Sequence, residues 1–396
     1  KSPISSPIPS SKPVAYREAC VHQPIPGRSR GRVLRICAGL RVHGILQGMA
    51  HQSLYRTYRP KRFEDIVGQD QVVAPLVEQI KAEKVGHAFL FAGSRGLGKT
   101  SIARIFAREL GTSDRDLYEI DAASHNGVDY IRELTENIYT LPFESKYKVY
   151  ILDEAHMLSK GAWNAFLKTL EEPPAHAIFI LATTEREKVP ETVESRCQVY
   201  DFKKPTRSIL TKTVVDIAKK EGYALEMAGA ELIALLGDGS YRDALSVLEK
   251  VLVSVTDKKV SREEVEHATG APKHALVLAL VRALSEGNQG DALVAIRTAD
   301  AVGVDMQLYL TLLLEALRHV LLIRHAPELK AELAAELGAD AYGELETLAK
   351  ASGSRISHTT LRTFLDAASR IRFSPVPALP LELAVLELMN HAADNA

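Results

Sequence analysis

The chain has 396 residues, 46% hydrophobic and 25% charged, and 49 Lys+Arg against 50 Asp+Glu leave a formal charge of −1. That composition excludes collagenous, coiled-coil and low-hydrophobicity disordered classes, and no run of 18 apolar residues is free of charge, which argues against a membrane span or a membrane partner. Two or three domains fit the length, and Cys20, Cys37 and Cys197 are too few and too scattered for a disulfide framework or a four-thiolate zinc site, which suits a reducing, cytoplasmic setting.

The charge is unevenly spread. Residues 1–48 hold eight basic residues and one acid, Glu18, a net +7, so the remainder carries −8. This segment also has six of the 18 prolines, and the first methionine of the chain is Met49. Residues 1–52 are therefore expected to be a disordered basic leader or a non-native upstream segment. An organellar transit peptide, a basic arm touching nucleic acid, and translated sequence ahead of a start at Met49 are all compatible with it.

From Leu54 onward, short apolar runs alternate with helical periodicity, the rhythm of a parallel sheet covered by helices. Strands are expected at 88–92, 117–120, 148–152, 178–182 and 199–202. After about Lys204 the strand signals fade, and helices are expected at 209–220, 229–236, 242–255 and 262–268. The stretch from about Pro272 to the end is helical too, with Leu276, Leu278, Leu280, Val281 and Leu284 forming one apolar stripe.

Gly93-Ser94-Arg95-Gly96-Leu97-Gly98-Lys99-Thr100 has both glycines, the lysine and the threonine of a phosphate-binding loop at the required spacing. A buried-strand run, Ala88-Phe89-Leu90-Phe91, stands just before it, and helix-spaced Ile102, Ala103, Ile105, Phe106 and Leu110 follow. In such a loop, backbone N–H groups and a helix N-terminus face phosphate oxygens. Lys99 would neutralise the β- and γ-phosphates, and the Thr100 hydroxyl would ligate Mg²⁺. The metal then needs an acidic partner at a neighbouring strand end, which Lys148-Val149-Tyr150-Ile151-Leu152-Asp153-Glu154 supplies. Asp153 would hold Mg²⁺ and Glu154 would polarise the attacking water. His156, just beyond, reads as structural.

The strand at 178–182 ends in Thr183-Thr184. A hydroxyl there could hold the attacking water or touch the γ-phosphate, and β-propensity alone also explains the pair. Arg196 in Ser195-Arg196-Cys197 and Arg242 in Gly239-Ser240-Tyr241-Arg242-Asp243-Ala244 could face phosphate, but an isolated arginine is more commonly a solvated surface residue.

These stretches, in this order, resemble a known family: Leu54-Tyr55-Arg56-Thr57-Tyr58-Arg59-Pro60, Phe63-Glu64-Asp65-Ile66-Val67-Gly68-Gln69, the phosphate loop, Ile120-Asp121-Ala122-Ala123-Ser124, Leu152 to Leu158, Leu170-Glu171-Glu172-Pro173-Pro174, Leu181 to Thr184 and Ser195-Arg196-Cys197. The family is the gamma/tau subunit of the bacterial DNA polymerase III clamp loader, a group of AAA+ ATPases. The resemblance covers about 53–390. It is specific through Asp243-Ala244-Leu245, then weakens to helical pattern, with Phe373-Ser374-Pro375 and Leu381-Glu382-Leu383-Ala384 resembling the end of the oligomerising collar.

The resemblance implies an α/β plus all-α protein: a parallel αβα ATPase domain at 53–204, a small helical lid at 205–270 and a helical collar at 271–396. It implies that Arg59, Pro60 and Val67 lie near the adenine of ATP, and that Gly93, Gly96, Leu97, Gly98, Lys99, Thr100 and Ser101 hold the phosphates. It further implies that Thr183 or Thr184 acts as first sensor and Arg242 as second sensor, and that Arg196 reaches the ATP of a neighbouring subunit. The expected partners are delta and delta-prime type subunits, copies of itself in a ring, a sliding clamp, and primer-template DNA recognised by backbone shape. The expected activity is ATP hydrolysis that loads the clamp onto primed DNA. No polymerase motif is present. An AAA+ motor such as a branch-migration helicase and a non-hydrolysing scaffold subunit of the ring are the alternatives.

One departure from the family stands out. Members generally carry a four-cysteine zinc module before the strand leading to Asp-Ala-Ala-Ser, whereas here Leu110-Gly111-Thr112-Ser113-Asp114-Arg115-Asp116 passes straight to Leu117 with no cysteine. No zinc is expected.

Overall fold

The structure is a computed structural model that describes residues 52–393 apart from 338 and 352, so the leader expected at 1–52 lies outside the described residues up to residue 51. A short helix, α1 (Leu54–Thr57), and α2 (Asp70–Lys81) precede β1 (Ala88–Ala92). Then come α3 (Lys99–Glu109), β2 (Leu117–Asp121), α4 (Val128–Ile138), β3 (Lys148–Asp153), α5 (Lys160–Glu171), β4 (Ala177–Thr183), α6 (Glu191–Glu194) and β5 (Gln198–Asp201).

All five strands are parallel, in the order β2-β3-β4-β1-β5. Successive strand residues face opposite sides, so the sheet divides its apolar residues between two cores. Phe89, Phe91, Val149, Ile151 and Ile180 pack with Leu76 of α2 and Ile102 and Phe106 of α3. Leu90, Tyr150, Leu152, Phe179 and Leu181 pack with Ile131 of α4 and Trp163 and Phe166 of α5. The strand order brings the carboxyl ends of β3, β4 and β1 side by side, which is where open α/β sheets place their ligands. The last strand starts and ends one residue earlier than its apolar pattern suggests. Phe202 stands just past it, yet its N–H still donates to the Ala92 carbonyl at 2.7 Å.

A second core is built from α7 (Arg207–Lys220), α8 (Met227–Leu236), α9 (Tyr241–Ser254) and α10 (Arg262–Thr269), with β6 (Ala224–Leu225) and β7 (Lys259–Val260) pairing in parallel between them. Two-residue strands carry no readable periodicity, which is why the sequence pattern shows only helices here. Thr206, Ser240 and Ser261 cap α7, α9 and α10 through their side-chain oxygens. Leu54 of α1 is buried in this core with Val214, Ile233 and Leu248. The Leu54 N–H donates to the Glu249 carboxylate at 3.1 Å, and the Tyr58 hydroxyl donates to Glu221 at 2.6 Å.

The third core holds α11 (His274–Glu286), α12 (Gln289–Ala301), α13 (Met306–His325), α14 (Lys330–Leu337), α15 (Ala339–Lys350), α16 (His358–Ile371) and α17 (Leu379–Ala393). Among the described residues α13 is the one helix long and apolar enough to cross a membrane. Its Tyr309, Leu310, Leu313, Leu317 and Val320 are instead buried against the other helices of this core. Glu315, midway along α13, forms a two-pronged ion pair with Arg207 of α7, and so joins the third core to the second.

Candidate functional site

The loop at 93–100 joins β1 to α3, and Gly98 caps that helix from the left-handed region. Lys99 is 6% exposed. Its Nζ donates to the Gly93 carbonyl at 2.7 Å and the Ser94 carbonyl at 2.9 Å, so the ammonium is held inside the curl of the loop. Burial lowers its pKa below the usual lysine range, Glu154 and Asp153 oppose the shift, and Arg242 adds to it. Leu97 is buried in the sheet core beneath the loop.

The loop and the acidic pair meet directly. Thr100 Oγ1 donates to Asp153 Oδ2 at 2.8 Å, across the gap between α3 and the end of β3. Glu154, one residue on, takes a left-handed backbone (φ 49°) that turns the chain sharply, and its N–H donates to Asp153 Oδ1 at 3.1 Å. The end of β4 adds two hydroxyls. Thr184 Oγ1 donates to Glu154 Oε2 at 3.0 Å, while fully buried Thr183 sits 3.1 Å from His156 Nδ1 and accepts the Glu185 N–H at 3.1 Å. The His156 ring is enclosed by Thr183, Glu154 and Glu185, with Nε2 3.2 Å from Glu185.

Two further sides close the cleft. From the N-terminal segment, Arg59 Nε donates to Ser101 Oγ at 2.8 Å, and burial lowers the arginine's pKa. Pro60 is half-buried beside it, and Val67 is exposed. From the second core, the first turn of α9 rests on the phosphate loop. A Cβ added to Gly96 would stand 2.0 Å from Ser240 Oγ and 3.3 Å from Arg242 Cβ, and the backbone there has φ +77°, so only glycine allows this approach. The Arg242 guanidinium lies 5.7 Å from the centre of the Tyr55 ring.

Arg196 stands apart from this group. Its guanidinium donates to Glu171 Oε1 and to the Thr192 carbonyl, both at 2.6 Å. Tyr55, Ser240 and Tyr241 join the site without having been expected. The Ser240-Tyr241 pair beside Arg242 was visible in the sequence, but nothing local to it says that it lands on residues 67 and 96. Burial pushes the Cys197 thiol up to about 12, so it stays a neutral thiol packed beside the second sheet core.

The donor set suits Mg²⁺. Thr100 and Asp153 present hard oxygen ligands a hydrogen bond apart, and magnesium takes few protein ligands and keeps several waters.

A family model described as DNA polymerase III subunits gamma and tau domain III matches residues 260–395, and one described as DNA polymerase III, delta subunit, matches 111–206. DNA polymerase III subunit tau of Bacillus subtilis is 40% identical over 306 residues, which cover 72% of this chain and 54% of that protein. The chain belongs to the gamma/tau family of DNA polymerase III subunits. The gamma/tau subunit of Mycobacterium tuberculosis is 34% identical over 371 residues, covering 87% of this chain and 64% of that protein. The chain thus spans between half and two thirds of the length of these two curated relatives. Among solved structures, the Holliday junction branch migration motor RuvB of Thermotoga maritima is 21% identical at a TM-score of 0.47, covering 73% of this chain and 90% of that one.

Proposed function

We propose that the chain is an ATP-hydrolysing motor subunit of a DNA polymerase III clamp loader, and that it uses ATP to place a sliding clamp on primed DNA. One observation carries the reading: the Thr100 hydroxyl and the Asp153 carboxylate meet at 2.8 Å, which joins the phosphate loop to the acid pair in one cleft. In this reading 53–204 is the ATPase domain, with its first helix α1 packed into the lid core, 205–270 is the lid and 271–396 the collar through which subunits assemble.

Backbone N–H groups of Gly93, Gly96, Leu97 and Gly98, with Lys99, Thr100 and Ser101, would hold the phosphates. Arg59, Pro60 and Val67 would border the adenine. Thr100 and Asp153 would hold Mg²⁺, which neutralises charge on the phosphate oxygens when bound. Glu154 would take a proton from the attacking water as its oxygen bonds to the γ-phosphorus and the β–γ bridge breaks, leaving ADP and phosphate. The Thr184 hydroxyl fits the first-sensor role because it fixes the Glu154 carboxylate, and Arg242 fits the second because it reaches the loop from the lid. Arg196, which pairs with Glu171 in its own chain, would serve the site of an adjacent subunit, where a finger in trans is worth about 10³ to 10⁵ in rate.

Delta and delta-prime type subunits, further copies of the chain and the sliding clamp are the proposed protein partners. Primer-template DNA would be gripped by backbone shape, and the setting would be cytoplasmic. Zinc has no part in this reading. Where a zinc module would begin, Asp116 is fully buried and accepts backbone N–H groups from Phe143, Glu144 and Ser145 at 2.6 to 3.0 Å, which ties this stretch to the 143–145 turn.

The test is ATP binding and hydrolysis by the chain alone and with companion subunits, clamp and primed DNA. Lys99→Ala is expected to abolish ATP binding. Glu154→Gln is expected to bind ATP and lose about 10²- to 10⁴-fold in turnover. Equal turnover by Glu154→Gln and the parent assembly would overturn the assignment of the base, and a ring whose hydrolysis ignores clamp and DNA would overturn the loader.

A further inference from the structure

Three consecutive residues at the start of α9 touch both ends of the cleft. Ser240 and Arg242 rest on Gly96 at the phosphate end. Tyr241, between them, reaches the opposite end, where its hydroxyl donates to the Val67 carbonyl at 2.7 Å. The neighbouring Gly68 has φ +73°, and a Cβ there would stand 3.1 Å from the Tyr241 hydroxyl oxygen and 3.3 Å from Cδ1 of Ile209 on α7. Two helices of the second core are therefore seated on one glycine of the N-terminal segment, and the tyrosine supplies the polar fastening.

This bond contributes little to the integrity of either body. Val67 is 49% exposed, so water can satisfy its carbonyl if the tyrosine hydroxyl is lost. What the bond does set is the separation between α9 and the 66–68 segment. Both α9 and that segment line the cleft, and the segment is fastened to the sheet separately, through Phe63 and Ile66 in the sheet core and through Gln69 bonded to Lys203.

We infer that Tyr241 is a positioning residue, a latch that holds the helical lid against the base-side segment at Val67-Gly68 and so sets how long a nucleotide stays in the cleft. The inference rests on the reading that ATP occupies this cleft with its base near Val67. Lid opening must break the Tyr241 bond before the base-side wall can separate, so the latch acts on nucleotide residence and leaves the chemistry at Glu154 alone. Burial raises the Tyr241 hydroxyl to about 12, so it remains a protonated donor from neutral to alkaline pH.

The experiment compares the full chain with Tyr241→Phe, which removes one oxygen and keeps the ring. Dissociation of a fluorescent ATP analogue with Mg²⁺ is followed by stopped flow after mixing with excess ATP, and thermal unfolding is recorded without nucleotide. The loss of one hydrogen bond predicts a dissociation rate faster by about two- to tenfold in the variant, with an unchanged unfolding midpoint. Equal dissociation rates, slower dissociation in the variant, or faster dissociation accompanied by a lowered midpoint would each overturn the latch. Absence of analogue binding by the parent chain would instead overturn the nucleotide reading, and the latch with it.

Discussion

Thr184 donates its hydroxyl to the Glu154 carboxylate at 3.0 Å, while Thr183, one residue earlier, has its hydroxyl engaged by His156 and by the Glu185 N–H. Two adjacent threonines at one strand end thus carry different loads. Thr184→Val is expected to lower turnover of the assembled ring by on the order of 10²-fold with ATP affinity preserved, because it releases the carboxylate that must face the water. Thr183→Val is expected to cost about 1–2 kcal/mol of folding stability, since it leaves the part-buried Glu185 N–H without its acceptor and removes the hydroxyl beside His156. Steady-state hydrolysis and denaturant unfolding separate the two; a turnover loss confined to Thr183→Val would reverse the assignment.

Arg196 pairs with Glu171 at 2.6 Å in its own subunit, away from the phosphate loop. Arg196→Ala should leave nucleotide binding by the single chain within about twofold of the parent, because an exposed pair of this kind is worth under about 1 kcal/mol. In the reconstituted ring the same change should reduce hydrolysis by about 10³-fold or more. Unchanged hydrolysis in the ring would dismiss the trans role.

Asp116 lends itself to a pH experiment. Burial alone would raise its carboxyl pKa, but the backbone N–H groups of Glu144, Phe143 and Ser145 outweigh that and hold it far below the usual carboxylate range. A folded-state pKa below the unfolded value of about 4 means the stabilisation is complete above pH 4 and fades as pH falls through the folded value. Asp116→Asn should therefore cost about 1–3 kcal/mol at pH 7, and the gap from the parent should narrow in denaturation at pH 3 and below. A gap that did not change with pH would show that the carboxylate charge is not what holds the turn.

The Arg207–Glu315 pair links α7 to α13, with 30% and 24% of the two side chains exposed. Glu315→Gln removes the charge and keeps the shape. We expect a loss of about 1–2 kcal/mol, intermediate between exposed and buried pairs, and faster proteolysis in the 270–273 connection. An unchanged cleavage rate there would mean that apolar packing alone joins the two cores.

What the sequence discloses here depends on distance along the chain. Strand β1 coincides with its apolar run, Ala88 to Ala92, because both faces of a central parallel strand are covered and the pattern is uninterrupted. Asp153 and Glu154 are legible for the same reason: they are the first charges after a buried run. The choice between Thr183 and Thr184 is harder, because β-propensity says nothing about strand termination. Thr183 keeps the parity of Phe179 and Leu181 and remains buried, whereas Thr184 lies past the last paired residue and is free to reach Glu154. Contacts such as Gly96 with Ser240, or Val67 with Tyr241, join residues far apart in sequence. Composition and periodicity carry no record of them.

The placement of Leu54 in the core of α7 to α10 has a mechanical consequence. The chain starts its described course inside the second body, leaves it to build the five-stranded sheet, and returns at Thr206. The sheet is thus an insertion into that body, attached by two covalent crossings, near residues 59–62 and 202–206. A single crossing would act as a swivel, whereas two crossings restrain twisting, and Gln69 ties the two strands of chain together by donating to the Lys203 carbonyl at 2.7 Å. A rigid shift of one body against the other must therefore bend both crossings together and part the Tyr241–Val67 bond.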